Sequence, residues 1–281
     1  MARMGSVWDR TVEVINGRTG MLASIAALTL WLPGIARQAV AIAMVGGDGT
    51  TTAPGFGVLL FLFLLSLIAA VLTIFGQLAL IAVASDPATT RGEAFRVAAV
   101  RLPVAIGVVL LLALLVFALL VPAVLPIVAV MPNPAGMTQQ TMVAATTGIG
   151  PGARAFIGLY ILFLIALMIW ITARLALLNP VIVNERAGVR SVARSFALTR
   201  GLTWKIIGLA ILFGIVSLVV ILATQSVVGI VLRLLLGAEN FGLVALLTGA
   251  AVAVATSAIT IVWTSFVAQL YVAVRGALEA G

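Results

Sequence analysis

The sequence contains neither cysteine nor histidine. Disulfides, reactive thiolates and zinc sites built on these residues are therefore excluded. Histidine, the side chain that most often moves protons in enzymes, is also unavailable as a general base. The chain has no glycine-rich phosphate loop, paired-carboxylate motif or nucleophile elbow. The sequence accordingly predicts a protein without enzymatic activity, and it predicts no cofactor and no metal site.

Charge is also scarce in this chain. Only 9% of the 281 residues are charged, whereas 63% are hydrophobic, and the mean hydropathy is +1.30. A soluble domain carries roughly a quarter charged residues. Too few charges remain to cover a surface that faces water, so the composition predicts that lipid surrounds most of the chain.

Long apolar runs occur six times, and each reaches the roughly 20 residues that a membrane-spanning helix needs. They cover residues 20–45, 56–84, 102–130, 155–178, 206–231 and 241–274. The first run lacks a small-residue cleavage site, so we expect an uncleaved signal-anchor. A transmembrane β-barrel would instead show alternating segments of about 10 residues. The sequence predicts an all-α polytopic membrane bundle of about six transmembrane helices, with residues 1–281 forming a single domain.

Basic residues outnumber acidic ones 16 to 8, and they are distributed unevenly. In a six-helix topology one side of the membrane holds Arg3, Arg10, Arg18, Arg91, Arg96, Arg101, Arg186, Arg190, Arg194, Arg200, Lys205 and Arg275. The other side holds only Arg37, Arg154 and Arg233, all close to helix ends. The positive-inside rule then predicts that both termini face the cytoplasm. The same rule explains the positive net charge without a nucleic acid as partner.

The connection after the fourth run, residues 179–201, shows helical periodicity. At 100° per residue, one apolar face is formed by Val189, Val192, Ala193 and Phe196. Arginines along one flank indicate an amphipathic helix that lies in the membrane interface and reaches lipid headgroups. Each basic residue near an anionic surface contributes ~1 kcal/mol. The candidate residues for headgroup binding or partner docking are Arg186, Arg190, Arg194, Arg200 and Lys205. The alternative is that these charges only anchor the topology.

Arg174 and Glu185 form a candidate interfacial polar pair. Arg174 lies near the inner end of the fourth run, and Glu185 follows it in the connection. An ion pair of Glu185 with Arg174, or with an arginine of the connection, would explain this acid without catalysis. No acidic residue is predicted near the bilayer midplane, where ion-coupled carriers commonly hold one.

The spacing of basic residues also indicates an internal repeat. Alignment of Arg18, Arg101 and Arg200 places Val14, Val97 and Phe196 at one shared offset. The proposed unit is a basic amphipathic segment followed by a helical hairpin, present three times in one orientation. The alternative is chance similarity, which apolar sequence of low complexity produces readily.

A family resemblance rests mainly on the fourth connection. There the chain reads Arg174-Leu-Ala-Leu-Leu-Asn-Pro-Val-Ile-Val-Asn-Glu and then Ser191-Val-Ala-Arg-Ser-Phe-Ala-Leu-Thr-Arg-Gly-Leu-Thr-Trp-Lys. This pattern resembles the glycerophosphoryl diester phosphodiesterase membrane-domain family, and residues 8–33 look like the start of that family. Related bacterial six-helix families share the pattern. The resemblance implies a bacterial inner-membrane bundle. In some members the bundle is fused to a catalytic barrel, but no barrel residue has a counterpart here, so no catalytic role is carried over.

The leading hypothesis is therefore a non-enzymatic bacterial inner-membrane protein that acts as a scaffold or interacts with lipids. Its expected partners are anionic headgroups on the cytoplasmic side. The alternative is a transporter or a permease-like subunit of a membrane complex. The residues Gly92-Glu-Ala and Leu102-Pro103 are similar, at imperfect spacing, to the cytoplasmic coupling loop of ABC permeases. A membrane-embedded enzyme ranks third, because acid and base residues are not visible.

Overall fold

The computed structural model describes residues 4–44, 55–130, 150–185 and 188–279, and regular structure within these ranges is entirely helical. The helices are α1 (Met4–Ala26), α2 (Leu32–Met44), α3 (Phe56–Ser85), α4 (Arg91–Val130), α5 (Pro151–Arg174), α6 (Leu178–Glu185), α7 (Ser191–Leu198), α8 (Thr203–Leu236) and α9 (Phe241–Glu279). A π-helical segment, Ala27–Trp31, joins α1 to α2, and short 3₁₀ turns cover Gly188–Arg190 and Ala238–Asn240.

Six helical stretches of the described chain are long and apolar enough to cross a membrane. They are Met4–Val40, Phe56–Ser85, Arg91–Pro122, Arg154–Glu185, Thr203–Leu236 and Phe241–Glu279. Large apolar side chains point away from the bundle, and Phe63, Leu114 and Phe117 are 64%, 65% and 68% exposed. Surfaces of this kind suit lipid and not water. The predicted all-α polytopic bundle is confirmed, and its six spans fit a multi-pass membrane protein.

Helix α9 lies at the centre of the bundle. It packs against α1, α2, α3, α6 and α8. Small residues allow its close approach to α2: a Cβ atom at Gly34 would lie 3.5 Å from Cβ of Ala253. At Gly249 a Cβ atom would lie only 2.5 Å from Cγ of Gln38, so only glycine fits there without a shift of that side chain. Helix α9 therefore contributes to most of the clefts between the spans.

The tightest packing lies at the end of the bundle where α3 ends and α4 begins. The largest fully buried side chains of the described chain concentrate there and in the adjoining half of the spans: Val7, Leu22, Ile25, Leu78, Leu80, Ile81, Val83, Val108, Leu177, Ile182, Leu270 and Tyr271. We call this the basic end, because Arg18, Arg101 and Arg200 also lie there. Burial of these side chains stabilises one half of the bundle more than the other.

Polar contacts reinforce the basic end. Nη1 of Arg18 lies 3.3 Å from the carbonyl oxygens of Val83 and Asp86 and 3.4 Å from that of Thr89. A cation at a helix C-terminus is favourable, because the last carbonyls of a helix have no partner within it. Nε2 of Gln269 donates to the carbonyl oxygen of Ala84 over 2.6 Å. Both contacts tie other helices to the end of α3.

The three basic segments of the predicted repeat differ in backbone conformation. Arg18 has non-helical angles, φ −136° and ψ 20°, at a kink inside α1. Arg200 lies in the turn between α7 and α8, whereas Arg101 lies inside the continuous helix α4. The residues compared with a permease coupling loop, 92–94 and 102–103, also lie in α4. The α-helix is thus interrupted at two of the three aligned arginines, Arg18 and Arg200. The repeat itself stays a prediction.

Candidate functional site

The segment between α5 and α8 folds into short pieces and not into one interfacial helix. A 3₁₀ turn precedes α7, and α7 ends after two turns at Leu198. Gly188 and Gly201 have φ angles of 57° and 82°, a region in which glycine pays no steric penalty. These two glycines allow the chain to reverse on either side of α7. The helix is therefore held against the bundle, with its ends fixed.

The side of α7 that packs on the bundle is not its predicted apolar face. The buried side chains are those of Ser191, Ser195, Leu198 and Thr199. Ala193 is exposed, Val192 and Phe196 are only half-buried, and the side chain of Val189 lies outside the described part of the chain. Helix α7 packs on the end of α5, and small hydroxyl residues permit that close approach. Hydrophobic periodicity does not identify the bundle-facing side, because serine and threonine count as polar in it, and the apolar face toward lipid stays a prediction.

Arg174 joins α5 to α7 through both its backbone and its side chain. Its carbonyl oxygen accepts hydrogen bonds from Oγ of Ser195 (2.8 Å) and Oγ1 of Thr199 (3.3 Å). Its Nη1 donates to the carbonyl oxygen of Phe196 over 3.1 Å. Its guanidinium carbon lies 5.3 Å from the ring centroid of Trp170 and 5.7 Å from that of Phe196. Each helix thus supplies donors to the unpaired terminal carbonyls of the other.

Glu185 does not pair with Arg174. Its Oε2 lies 2.9 Å from Nε of Arg194, and its Oε1 accepts a hydrogen bond from the hydroxyl of Tyr271 over 2.9 Å. The partner is therefore an arginine of the connection, the other alternative from the sequence. The guanidinium of Arg174 instead lies against the rings of Trp170 and Phe196. The contacts of Glu185 join the end of α6 to α7 and to α9.

The remaining candidates divide into two groups. Arg194 is engaged by Glu185, and Arg186 lies outside the described residues. The exposed residues are Arg190, Arg200 and Lys205, and Trp204 beside them is 83% exposed. We call these last four residues the interfacial cluster. Trp204 and Lys205 begin α8, so the cluster spans both sides of the turn at Gly201.

A second polar site at the basic end was not recognised from the sequence. A cleft of about 520 Å³ is lined by residues that include Asp86, Glu93, Arg96 and Arg101. The Glu93 carboxylate accepts hydrogen bonds from the backbone N–H and the hydroxyl of Thr90 (2.8 and 2.9 Å). This is a capping box, and the spacing Thr90-x-x-Glu93 was its sequence signal. Glu93 therefore starts α4, which gives it a structural role.

Three further clefts lie along α9 and are lined by a row of threonines: Thr248, Thr256, Thr260 and Thr264. No threonine of this row is among the residues that the sequence singled out. Their signal was the recurrence of Thr256, Thr260 and Thr264 every four residues, which places successive side chains only about 40° apart around the helix, whereas Thr248 lies about 80° from Thr256. Sequence spacing could reveal the row but not the helices that face it.

No protein-family model matches the chain, and neither a curated protein nor a solved structure matches it significantly. The family resemblance of the fourth connection therefore stays a prediction. Function has to be argued from the geometry of the sites, because a helical bundle alone is compatible with many activities.

Proposed function

We propose that this chain is a non-enzymatic bacterial inner-membrane protein whose basic end faces the cytoplasm and binds anionic lipid headgroups. The observation that carries the proposal is the interfacial cluster. Its three cationic side chains are exposed, and they lie on one short segment together with a tryptophan that is 83% exposed.

The chemistry of the cluster suits the headgroup region. Tryptophan prefers the membrane interface because its ring is apolar and its N–H is polar. Lys205 is adjacent to Trp204 in the first turn of α8, and Arg200 lies four residues before Trp204, in the preceding turn. Each cation near an anionic surface contributes ~1 kcal/mol, which makes three of them sufficient for a measurable lipid preference.

The cluster is also held in place. Ser195 and Thr199 fix α7 to the end of α5, while Arg194 joins it to Glu185. The cations lie on both sides of this fixed helix, so less conformational entropy is lost on binding than for cations on a free loop. Fixed spacing favours recognition of one headgroup over general attraction to a charged surface.

The test is native mass spectrometry of lipids that copurify with the protein after gentle extraction. One variant carries Arg190→Gln, Arg200→Gln and Lys205→Gln. The matched control carries Arg10→Gln, Arg91→Gln and Arg96→Gln, which removes the same charge from exposed positions at the same end. We expect anionic lipid to copurify with the wild type and with the control. The amount of copurified anionic lipid should be several-fold lower for the cluster variant.

The other outcomes separate the alternatives. Equal losses in both variants would mean that net charge attracts lipid without a defined site. Unchanged lipid in the cluster variant would leave the cations as topology anchors and refute the proposal. Recurrent copurification of an ATPase would favour the permease-like subunit instead.

A further inference from the structure

Three clefts follow one another along α9. The one farthest from the basic end has a volume of about 640 Å³, and its polar lining is Gln38, Gln225, Ser226, Arg233 and Thr248. The middle one, about 310 Å³, has a polar lining of Arg37, Gln38, Thr73, Thr256, Ser257 and Thr260. The third, about 360 Å³, has a polar lining of Gln77, Asn179, Thr260 and Thr264. All three clefts thus contain several polar side chains.

The three clefts are neighbours, because adjacent ones share lining residues. The first and second share Gln38, Gly249 and Val252, and the second and third share Thr260. On α9 the lining extends from Phe241 to Val267. At 1.5 Å per residue this is about 39 Å, enough to cover the ~30 Å hydrocarbon core of a bilayer. We call the three clefts together the α9 groove.

Threonines give the groove its polar floor. Thr248, Thr256, Thr260 and Thr264 each donate to the carbonyl oxygen four residues earlier, over 2.7 to 2.8 Å. These bonds let a helix carry threonine in lipid. Each hydroxyl oxygen keeps acceptor capacity on the groove side. This hydrogen bond to the helix's own backbone, called back-bonding below, explains how each threonine is tolerated. It does not explain why all four line the α9 groove.

The far and middle clefts offer donors. The side chains of Gln225 and Arg233 in the far cleft, of Arg37 in the middle cleft and of Gln38 in both form no hydrogen bond or ion pair with another described residue. Gly249 lies about 30 Å along α9 from Gln269, which is at the basic end, so these donors lie toward the opposite end of the bundle. Each of these two clefts thus holds one guanidinium group together with an amide donor, which suits a phosphoryl group.

The groove opens sideways to the membrane. Thr256 and Gln225 are exposed, and neighbouring Leu222 and Val254 are 53% and 51% exposed. A free solute in the groove would face hydrocarbon on its open side. A phospholipid would not, because its acyl chains remain in the bilayer while its headgroup occupies the polar floor. The geometry therefore favours a lipid over a soluble phosphate.

We propose that the α9 groove carries phospholipid headgroups between the two leaflets, with Arg233 contacting the phosphate in the far cleft and Arg37 contacting it in the middle cleft. This activity goes beyond headgroup binding at the basic end and uses none of the interfacial cluster. A cluster variant that loses copurified lipid should still move lipid across the bilayer, so failure of either proposal can be distinguished from failure of the other.

The test is lipid scrambling in proteoliposomes that contain a fluorescent phospholipid, followed by dithionite quenching of the outer leaflet. The variant Thr256→Val/Thr260→Val/Thr264→Val keeps side-chain shape but removes the hydroxyls. The control, Thr19→Val/Ser217→Ala, removes hydroxyls with the same back-bonding pattern outside the groove. We expect scrambling by the wild type and the control, and a rate at least about tenfold lower in the triple variant.

A single variant and a solute-efflux measurement complete the test. Thr256→Val alone changes an exposed position, so it should slow scrambling without disturbing the fold, which thermal unfolding checks. Empty-liposome rates in the wild type, or wild-type rates in a folded triple variant, would overturn the proposal. Efflux of encapsulated inorganic phosphate without lipid movement would overturn it as well, in favour of a solute path.

Discussion

The side chain of Arg174 donates a hydrogen bond to the backbone carbonyl of Phe196 over 3.1 Å, across the junction of two helices. The carbonyl of Arg174 in turn accepts from hydroxyls of α7. Two helix ends at a membrane interface thereby satisfy each other and do not depend on water alone. The stability of the basic end should consequently depend on the guanidinium, and not merely on its charge.

We predict that Arg174→Lys destabilises the protein although the charge is kept. Lysine has no planar guanidinium, so it does not reproduce the hydrogen bond to Phe196 together with the contacts to the two rings. The expected loss is about 1.5–3 kcal/mol, a range typical of hydrogen bonds to charged groups. Thermal unfolding in detergent measures it, with exposed Arg91→Lys as control. Identical melting of the two variants would show that the contact contributes nothing beyond charge.

A second prediction concerns the contact between α3 and the π-helical segment. A Cβ atom at Gly76 would lie 2.6 Å from Cβ of Thr29, so Gly76→Ala should overpack this buried site and cost about 1–3 kcal/mol. Gly107→Ala is the matched control, because a Cβ atom there has no heavy atom within 4 Å. The control should be neutral or slightly stabilising, since alanine favours helix by up to about 1 kcal/mol. Equal stability of the two variants would contradict the close packing.

The third prediction tests orientation. Because the chain has no cysteine, single cysteines can be introduced at exposed Leu235 and Leu278 without background labelling. If the basic end faces the cytoplasm, a membrane-impermeant maleimide should label Leu235→Cys in intact cells. It should label Leu278→Cys only after the membrane is permeabilised. The reverse pattern would invert the topology and remove the cytoplasmic assignment of the interfacial cluster.

The six spans were predictable because about 20 consecutive apolar residues indicate a membrane-spanning helix, whatever the helix propensities of the individual residues. The bundle could be read from the runs, and so could the concentration of arginines at one end. The face of α7 could not, because it is decided by how closely Ser195 and Thr199 approach the end of α5. That distance depends on tertiary packing, and no periodicity within residues 179–201 encodes it.

The same limit applies to partners and clefts. Glu185 has several arginines near it in sequence, and the sequence does not show that it pairs with Arg194 while Arg174 contacts aromatic rings. The threonine spacing on α9 was visible, but a row of back-bonded threonines can also face lipid. It lines clefts here because α2, α3 and α8 leave space opposite it.

The π-helical segment at Ala27–Trp31 makes the length of the first span matter as well as its composition. A π turn accommodates one residue more than an α turn. Deletion of one residue from the π turn would therefore let it relax to α geometry and keep the phase of α2. Deletion of one residue from the α-helical part before it would instead rotate everything that follows by about 100°. Nε1 of Trp31 would then lose the carbonyl of Ala250, which it now contacts over 3.2 Å, and Gln38 would turn away from Gly249. The first span should therefore tolerate loss of one residue at the π turn but not in α1.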